Sequence, residues 1–170
     1  MKKSILIICL IVLIAVPCVW RLYPHSLEDI LDVNKESVST ITVQMTEAGK
    51  SDADGWPVID TYCLDISSQE DSNYDAFMSI LENTKFQSDF KNLLPGDTTN
   101  VSSKDNKNTH SAILVLKWGD ADDMCSIIFL DDSIVSVDIS GKKESLVYHP
   151  TNRTTLDEIV TYVKENGEQK

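Results

Sequence analysis

Short runs of aspartate are the side chains of this sequence with the clearest chemical potential. Asp52-Ala-Asp54-Gly55 sets two carboxylates two residues apart before a glycine, as in loops that wrap oxygen ligands around Ca²⁺. Lys50 stands where such a loop has its first ligand, and Thr61 stands where it has its bidentate glutamate. The complete calcium-loop pattern is therefore missing, and turn chemistry is the better explanation of these aspartates.

A second group of aspartates has the same ambiguity. Its members are Asp120, Asp122, Asp123, Asp131 and Asp132. With a bound metal ion they would support hydrolysis by an activated water, whereas as turn residues they would bond their own backbone. A metal-assisted hydrolase is therefore one alternative, but the sequence assigns no catalytic, cofactor-binding or metal-ligating residue.

The three histidines do not complete any of these sets. His25, His110 and His149 lack the i,i+4 helical spacing and the short Cys/His spacing of zinc sites. His110-Ser111 lies outside any Gly-x-Ser-x-Gly context, which a serine nucleophile of that type requires. We predict three surface histidines in a protein that is not an enzyme and needs no cofactor.

Two cysteines, Cys63 and Cys125, fall in apolar, strand-like stretches of the main domain. An oxidising compartment would permit a disulfide between them, and two separate buried thiols fit the same pattern. Both alternatives stay open at the level of sequence.

The first 25 residues predict an N-terminal signal anchor. Lys2 and Lys3 precede an apolar run that continues from Ile5 to Trp20. At ~1.5 Å per residue, a helix over residues 4–23 would reach about 30 Å, the thickness of the hydrocarbon core. The lysines place the amino terminus inside the cell, so residues 26–170 form an extracytoplasmic domain on a single-pass membrane helix.

Processing of this anchor has two alternatives. Ala15 and Pro17 make a poor cleavage site because proline is unfavourable at its edge, while a cut after Cys18 remains open. Cys18 also suggests lipidation, although Pro17 replaces the small residue that normally precedes a modified cysteine. Retention of the helix is the prediction.

The charge of the domain limits its partners. The whole chain carries a net charge of −12, and without Lys2, Lys3 and Arg21 the remainder has 12 basic and 27 acidic residues, or −15. Such a surface repels phosphate backbones and anionic headgroups, which excludes nucleic acid as a partner. It favours a cationic ligand or an envelope protein, although solubility alone also explains it.

Periodicity in the domain predicts two main helices and about six strands. Alternation predicts strands over 40–46, 58–66, 112–118, 124–130, 134–139 and 145–149, and apolar stripes predict helices over 72–83 and 155–166. A shorter helix begins at Ser26, where Asp29 completes a capping box, and Thr155 with Glu158 suggests another box. Residues 86–94 have no firm assignment, and residues 95–109 form a long polar loop.

Short turns between the last four strands require an antiparallel meander, because a crossover helix needs more residues. The predicted fold is α+β, with two main helices packed on one face of an antiparallel sheet, after an N-terminal transmembrane helix.

The layout as a whole resembles a family of small bacterial extracytoplasmic domains of unknown function. The likeness is carried by the Lys-Lys leader, by Ser26-Leu-Glu-Asp-Ile30, by residues 80–86, by the meander and by residues 155–160. Members are membrane-anchored or lipoprotein-like, so the resemblance implies a location outside the cytoplasm and supplies no catalytic residue. The expected function is a membrane-anchored binding or sensing module, with a structural envelope protein as the alternative.

Overall fold

The structure is a computed structural model that describes residues 22–51, 57–93, 110–119, 123–142 and 145–170, together with residues 12, 13, 15, 16 and 19. Its helices are α1 (Leu27–Leu31), α2 (Tyr74–Glu82) and α3 (Thr155–Asn166). Its strands are β1 (Val38–Ser51), β2 (Pro57–Ile66), β3 (Phe86–Ser88), β4 (His110–Trp118), β5 (Met124–Phe129), β6 (Val135–Ile139), β7 (Leu146–Pro150) and β8 (Glu168–Gln169). Single 3-10 turns lie at Lys35–Ser37 and Phe90–Leu93.

The strands form one antiparallel sheet in the order β3-β7-β6-β5-β4-β1-β2-β8. The predicted β1–β2 hairpin is present, with Ile41 opposite Ile66 and Met45 opposite Tyr62. The meander from β4 to β7 is confirmed as well. The sheet gains the short edge strands β3 and β8, which the sequence did not predict.

The core lies between one face of this sheet and the helices. Ile41, Val43 and Met45 of β1 are completely buried in the same apolar cluster as Phe77 of α2 and Ile159 of α3. Because side chains alternate along a strand, Thr42 and Gln44 point to the opposite, helix-free face, where they are exposed. The α+β class and the placement of both main helices on one face are confirmed.

The helix starts divide into one correct and one wrong prediction. The Ser26 hydroxyl accepts a hydrogen bond from the Asp29 N–H at 3.2 Å, and an Asp29 carboxylate oxygen accepts one from the Ser26 N–H at 3.0 Å, which confirms the capping box of α1. The prediction that Thr155 caps α3 is wrong, because Thr155 is already the first residue of the helix. Its hydroxyl instead lies 2.5 Å from that of Thr84, in a buried contact between α3 and the end of α2.

Several predicted features lie outside the described residues. These are most of the predicted membrane helix, the centre of the calcium-like loop, and the polar loop after Pro95. Within the described part of the chain, no helix has both the length and the apolar character needed to cross a membrane.

Candidate functional site

His149 pairs with Asp89 on the described surface. Its Nε2 lies 2.9 Å from Oδ2 of Asp89, and its Nδ1 lies 2.8 Å from the backbone oxygen of Ser133. Both ring nitrogens therefore face acceptors, which leaves neither available to take a proton from a substrate. The arrangement ties β7 to the segment after β3 and to the β5–β6 turn.

The surroundings of Asp89 stabilise the charged form of its carboxyl group. Burial opposes ionisation, but the backbone N–H of Lys91 and the ring of His149 both bind the carboxylate and hold its pKa below the ordinary value. Asp89 lies in the segment that the sequence left unassigned, so its pairing with a histidine 60 positions later was not predictable from spacing.

His110, Glu47 and Lys164 form a second group of ionisable side chains, near the end of β1. Its Nδ1 lies 3.5 Å from a carboxylate oxygen of Glu47, which also forms an ion pair with Lys164 of α3. The Lys164 ammonium hydrogen bond is the main reason that the pKa of Glu47 is lowered. Since Lys164 lies 6.0 Å from the Tyr62 ring centroid as well, the group attaches the end of α3 to the sheet.

His25 has a structural place too, at the start of the domain. Its backbone pairs with that of Phe86 through two hydrogen bonds of 3.0 and 2.8 Å. This bridge fixes the segment that leads into α1 against β3.

Asp131 supports the turn interpretation. Asp131 is 3% exposed, and its Oδ1 accepts hydrogen bonds from the backbone and hydroxyl of Ser133, each at 2.7 Å. Asp52, Asp54, Asp120 and Asp122 lie outside the described residues. Across the described ranges, no three His, Cys, Asp or Glu side chains are close enough to hold a metal ion together.

Cys63 and Cys125 are both free thiols. Cys125 points into the core from β5, whereas Cys63 lies on the helix-free face of β2 opposite Gln44. Two strands separate β2 from β5 in the sheet, so the thiols are too far apart for a disulfide. Burial raises the pKa of Cys125 to about 12, which makes this thiol unreactive.

A cleft between α1 and α2 has the form of a ligand site. Its volume is about 200 Å³, and apolar side chains from four segments make its walls and floor. They are Leu27, Leu31, Val33, Val38, Met78, Leu81 and Leu116. A cavity of comparable size with aliphatic walls can hold a molecule of about six carbons.

The rim of the cleft is polar and predominantly acidic. Lys35 forms a 2.9 Å ion pair with Glu82 across it, and Oε1 of Glu28 accepts the Lys35 backbone N–H at 2.8 Å. The pKa of Lys35 is raised, chiefly by its hydrogen bond to Glu82, with further attraction from Asp75 and Glu28. The charged side chains that line the cleft are the carboxylates of Glu28 and Glu82 and the ammonium group of Lys35, which leaves a net charge of −1.

Side-chain hydrogen bonds hold the backbone of the segment that carries Lys35. The Tyr74 hydroxyl lies 2.6 Å from the carbonyl oxygen of Lys35 and 3.1 Å from that of Val38. The Gln69 amide also donates to the Val38 oxygen, at 2.9 Å. The sequence indicated α1 and α2 separately, but it had no signal that Lys35 and Glu82 would meet.

Comparisons with known proteins add no assignment: no family model matches the chain, and neither the curated proteins nor the solved structures contain a significant match.

Proposed function

We propose that this chain is a non-enzymatic binding or sensing module, tethered outside the cytoplasm by residues 1–25, that takes a small apolar ligand with a cationic head in the α1–α2 cleft. The observation that carries the proposal is the combination in one place of an aliphatic floor and an acidic rim.

The floor sets the apolar part of the ligand. Leu27, Leu31 and Met78 each keep a few per cent of their surface accessible, and Leu81 and Leu116, which have none, pack behind them. The first three side chains are therefore the ones that a ligand can contact. A hydrocarbon chain lying on them is removed from water, at roughly 0.8 kcal/mol for each buried methylene. About six carbons would give a binding free energy of a few kcal/mol, before the cost of association.

The rim sets the charge of the head group. An amine can lie between Glu28 and Glu82, next to the ion pair of Lys35, whereas a carboxylate there would meet an excess of negative charge. The domain charge of −15 raises the local concentration of cations over the whole surface, which favours the same choice.

The location is supported by the sequence. The lysines before the apolar run favour an internal amino terminus, and α1 follows that run directly, which would place the cleft near the membrane surface. The resemblance to membrane-anchored bacterial domains agrees with this location and stays a prediction.

The probe that tests the cleft is hexylamine, with hexanoate and hexanol as matched ligands. The full chain, labelled with ¹³C at the methionine methyl groups, is held in phospholipid nanodiscs and titrated while its NMR spectrum is recorded. Met78 lines the cleft, and Met124 is 38% exposed elsewhere, so one spectrum contains both the reporter and the control. Hexylamine should shift the Met78 signal in a saturable way and leave Met124 unchanged.

Charge selectivity is tested with Glu82→Gln, against Glu165→Gln as an exposed acid on α3. Losing one rim carboxylate should weaken hexylamine binding about threefold and strengthen hexanoate binding, while Glu165→Gln should have little effect. An unshifted Met78 signal, or equal binding of hexanoate to the wild-type chain, would contradict the proposal.

A further inference from the structure

Among the described residues, the β1–β2 ladder reaches further than the β1–β4 ladder. The last described β1–β4 pair is Glu47 with His110, and the last described β1–β2 pair is Ser51 with Pro57. We call this extension, residues 48–51 and 57–60, the arm. Two large apolar side chains of the arm are exposed to solvent. Val58 is 43% exposed and Ile59 is 64% exposed.

The outer edge of β2 already accepts one strand. The two residues of β8 pair with Tyr62 and Cys63, and the Lys170 N–H donates to the Thr61 oxygen at 2.9 Å. Thr61 therefore presents its backbone groups to this edge. Backbone direction alternates along a strand, so Ile59 presents its N–H and C=O to the same edge.

No strand of the described chain pairs with Val58–Asp60 on that side. The open stretch continues the line of β8, so an added strand would extend a ladder that is already formed. An exposed edge with adjacent apolar side chains is the arrangement that proteins use to bind a partner's extended segment.

We infer that the edge of β2 at Val58–Asp60 binds an extended, basic segment of a partner protein as an additional antiparallel strand, with an apolar side chain of that segment against Ile59. Asp60 lies in this stretch of a domain whose net charge is −15, which favours a basic partner. A second copy of the chain would bring a domain of the same −15 charge to the edge, which opposes self-association. This inference is independent of the cleft.

The test uses two synthetic peptides as probes, one of alternating lysine and valine and one of alternating glutamate and valine, each eight residues long. Amide hydrogen exchange of the full chain in zwitterionic nanodiscs is followed residue by residue. The lysine peptide should slow exchange of the Ile59 amide, and the glutamate peptide should not. Equal protection by both peptides, protection by neither at millimolar concentration, or concentration-dependent protection without peptide would overturn the inference.

Ile59→Lys and Ile113→Lys make a matched pair of variants. Both isoleucines lie on the helix-free face and are exposed, but Ile113 is on β4, which is paired on both sides. Ile59→Lys should weaken binding of the lysine peptide about tenfold through lost apolar contact and added repulsion, and Ile113→Lys by less than about twofold. Equal effects of the two substitutions would also overturn the inference. The Met45 methyl signal reports whether each variant keeps its core.

Discussion

At the scale of single residues, the charge of Asp89 contributes to stability. Its pKa is held below the ordinary value because the Lys91 N–H and the His149 ring favour the carboxylate over the burial that opposes it. A carboxyl with a lowered folded-state pKa contributes stability above its unfolded pKa, about 3.9, and loses that contribution as pH falls through the folded value.

We expect Asp89→Asn to lower the free energy of unfolding by about 1 to 2 kcal/mol near pH 6, because the charged hydrogen bonds to Lys91 and His149 are weakened. The difference from the wild-type chain should shrink below about pH 4, where Asp89 of the unfolded chain binds its proton first, and disappear as pH falls through the lowered pKa of the folded chain. Urea unfolding between pH 3 and 6 measures it. Asp65→Asn, at an exposed position, is the control; a difference that stays constant with pH would disprove the role of the charge.

At the scale of elements, α1 depends on its cap because it has only five residues. Ser26→Ala removes the acceptor for the Asp29 N–H and should destabilise the helix by about 1 kcal/mol. Faster amide exchange over Leu27–Leu31 and weaker hexylamine binding should follow, since α1 forms one wall of the cleft. Ser37→Ala, in the exposed 3-10 turn, should change neither quantity; unchanged exchange in Ser26→Ala would show that the cap is dispensable.

Gly167 connects α3 to β8 at a point of close backbone contact. A Cβ there would lie 2.6 Å from the carbonyl oxygens of Cys63 and Val163, and neither backbone oxygen can move aside freely. Gly167→Ala should therefore separate β8 from β2 and destabilise the chain by about 1 to 3 kcal/mol. Rapid exchange of the Lys170 and Cys63 amides would reveal the separation. Lys170→Ala is the control, and a native exchange pattern in Gly167→Ala would contradict the packing argument.

Periodic elements were predictable, and short or non-local ones were not. Tyr74, Phe77, Met78 and Leu81 recur at helical spacing, which identified α2, and Ile41, Val43 and Met45 identified β1. In contrast, β3 has three residues and β8 has two polar ones, too few for alternation to register. Each of these strands forms because a neighbouring strand supplies backbone hydrogen-bond partners.

The candidate sites show the same limit. Glu82 and Lys35 meet only because α1 and α2 pack on the same sheet, and Ile59 is exposed because it lies on the helix-free face of β2. The histidine interpretation was incomplete for the same reason: spacing excluded a short zinc motif, but it had no signal for the contacts of His149 with Asp89 or of His110 with Glu47.

At the scale of the whole molecule, the apolar run and the acidic domain have one common explanation. The run would hold the chain in a bilayer, and a domain of charge −15 would be kept away from anionic headgroups and presented to cationic partners. In this account the α1–α2 cleft and the arm are two separate binding surfaces of a tethered module.

The most direct test of this account is protease treatment of intact cells that carry the full chain, followed by detection of residues 26–170. The account predicts that the domain is degraded while the cells remain intact and a cytosolic marker survives. A domain that stays protected until the membrane is permeabilised would contradict it.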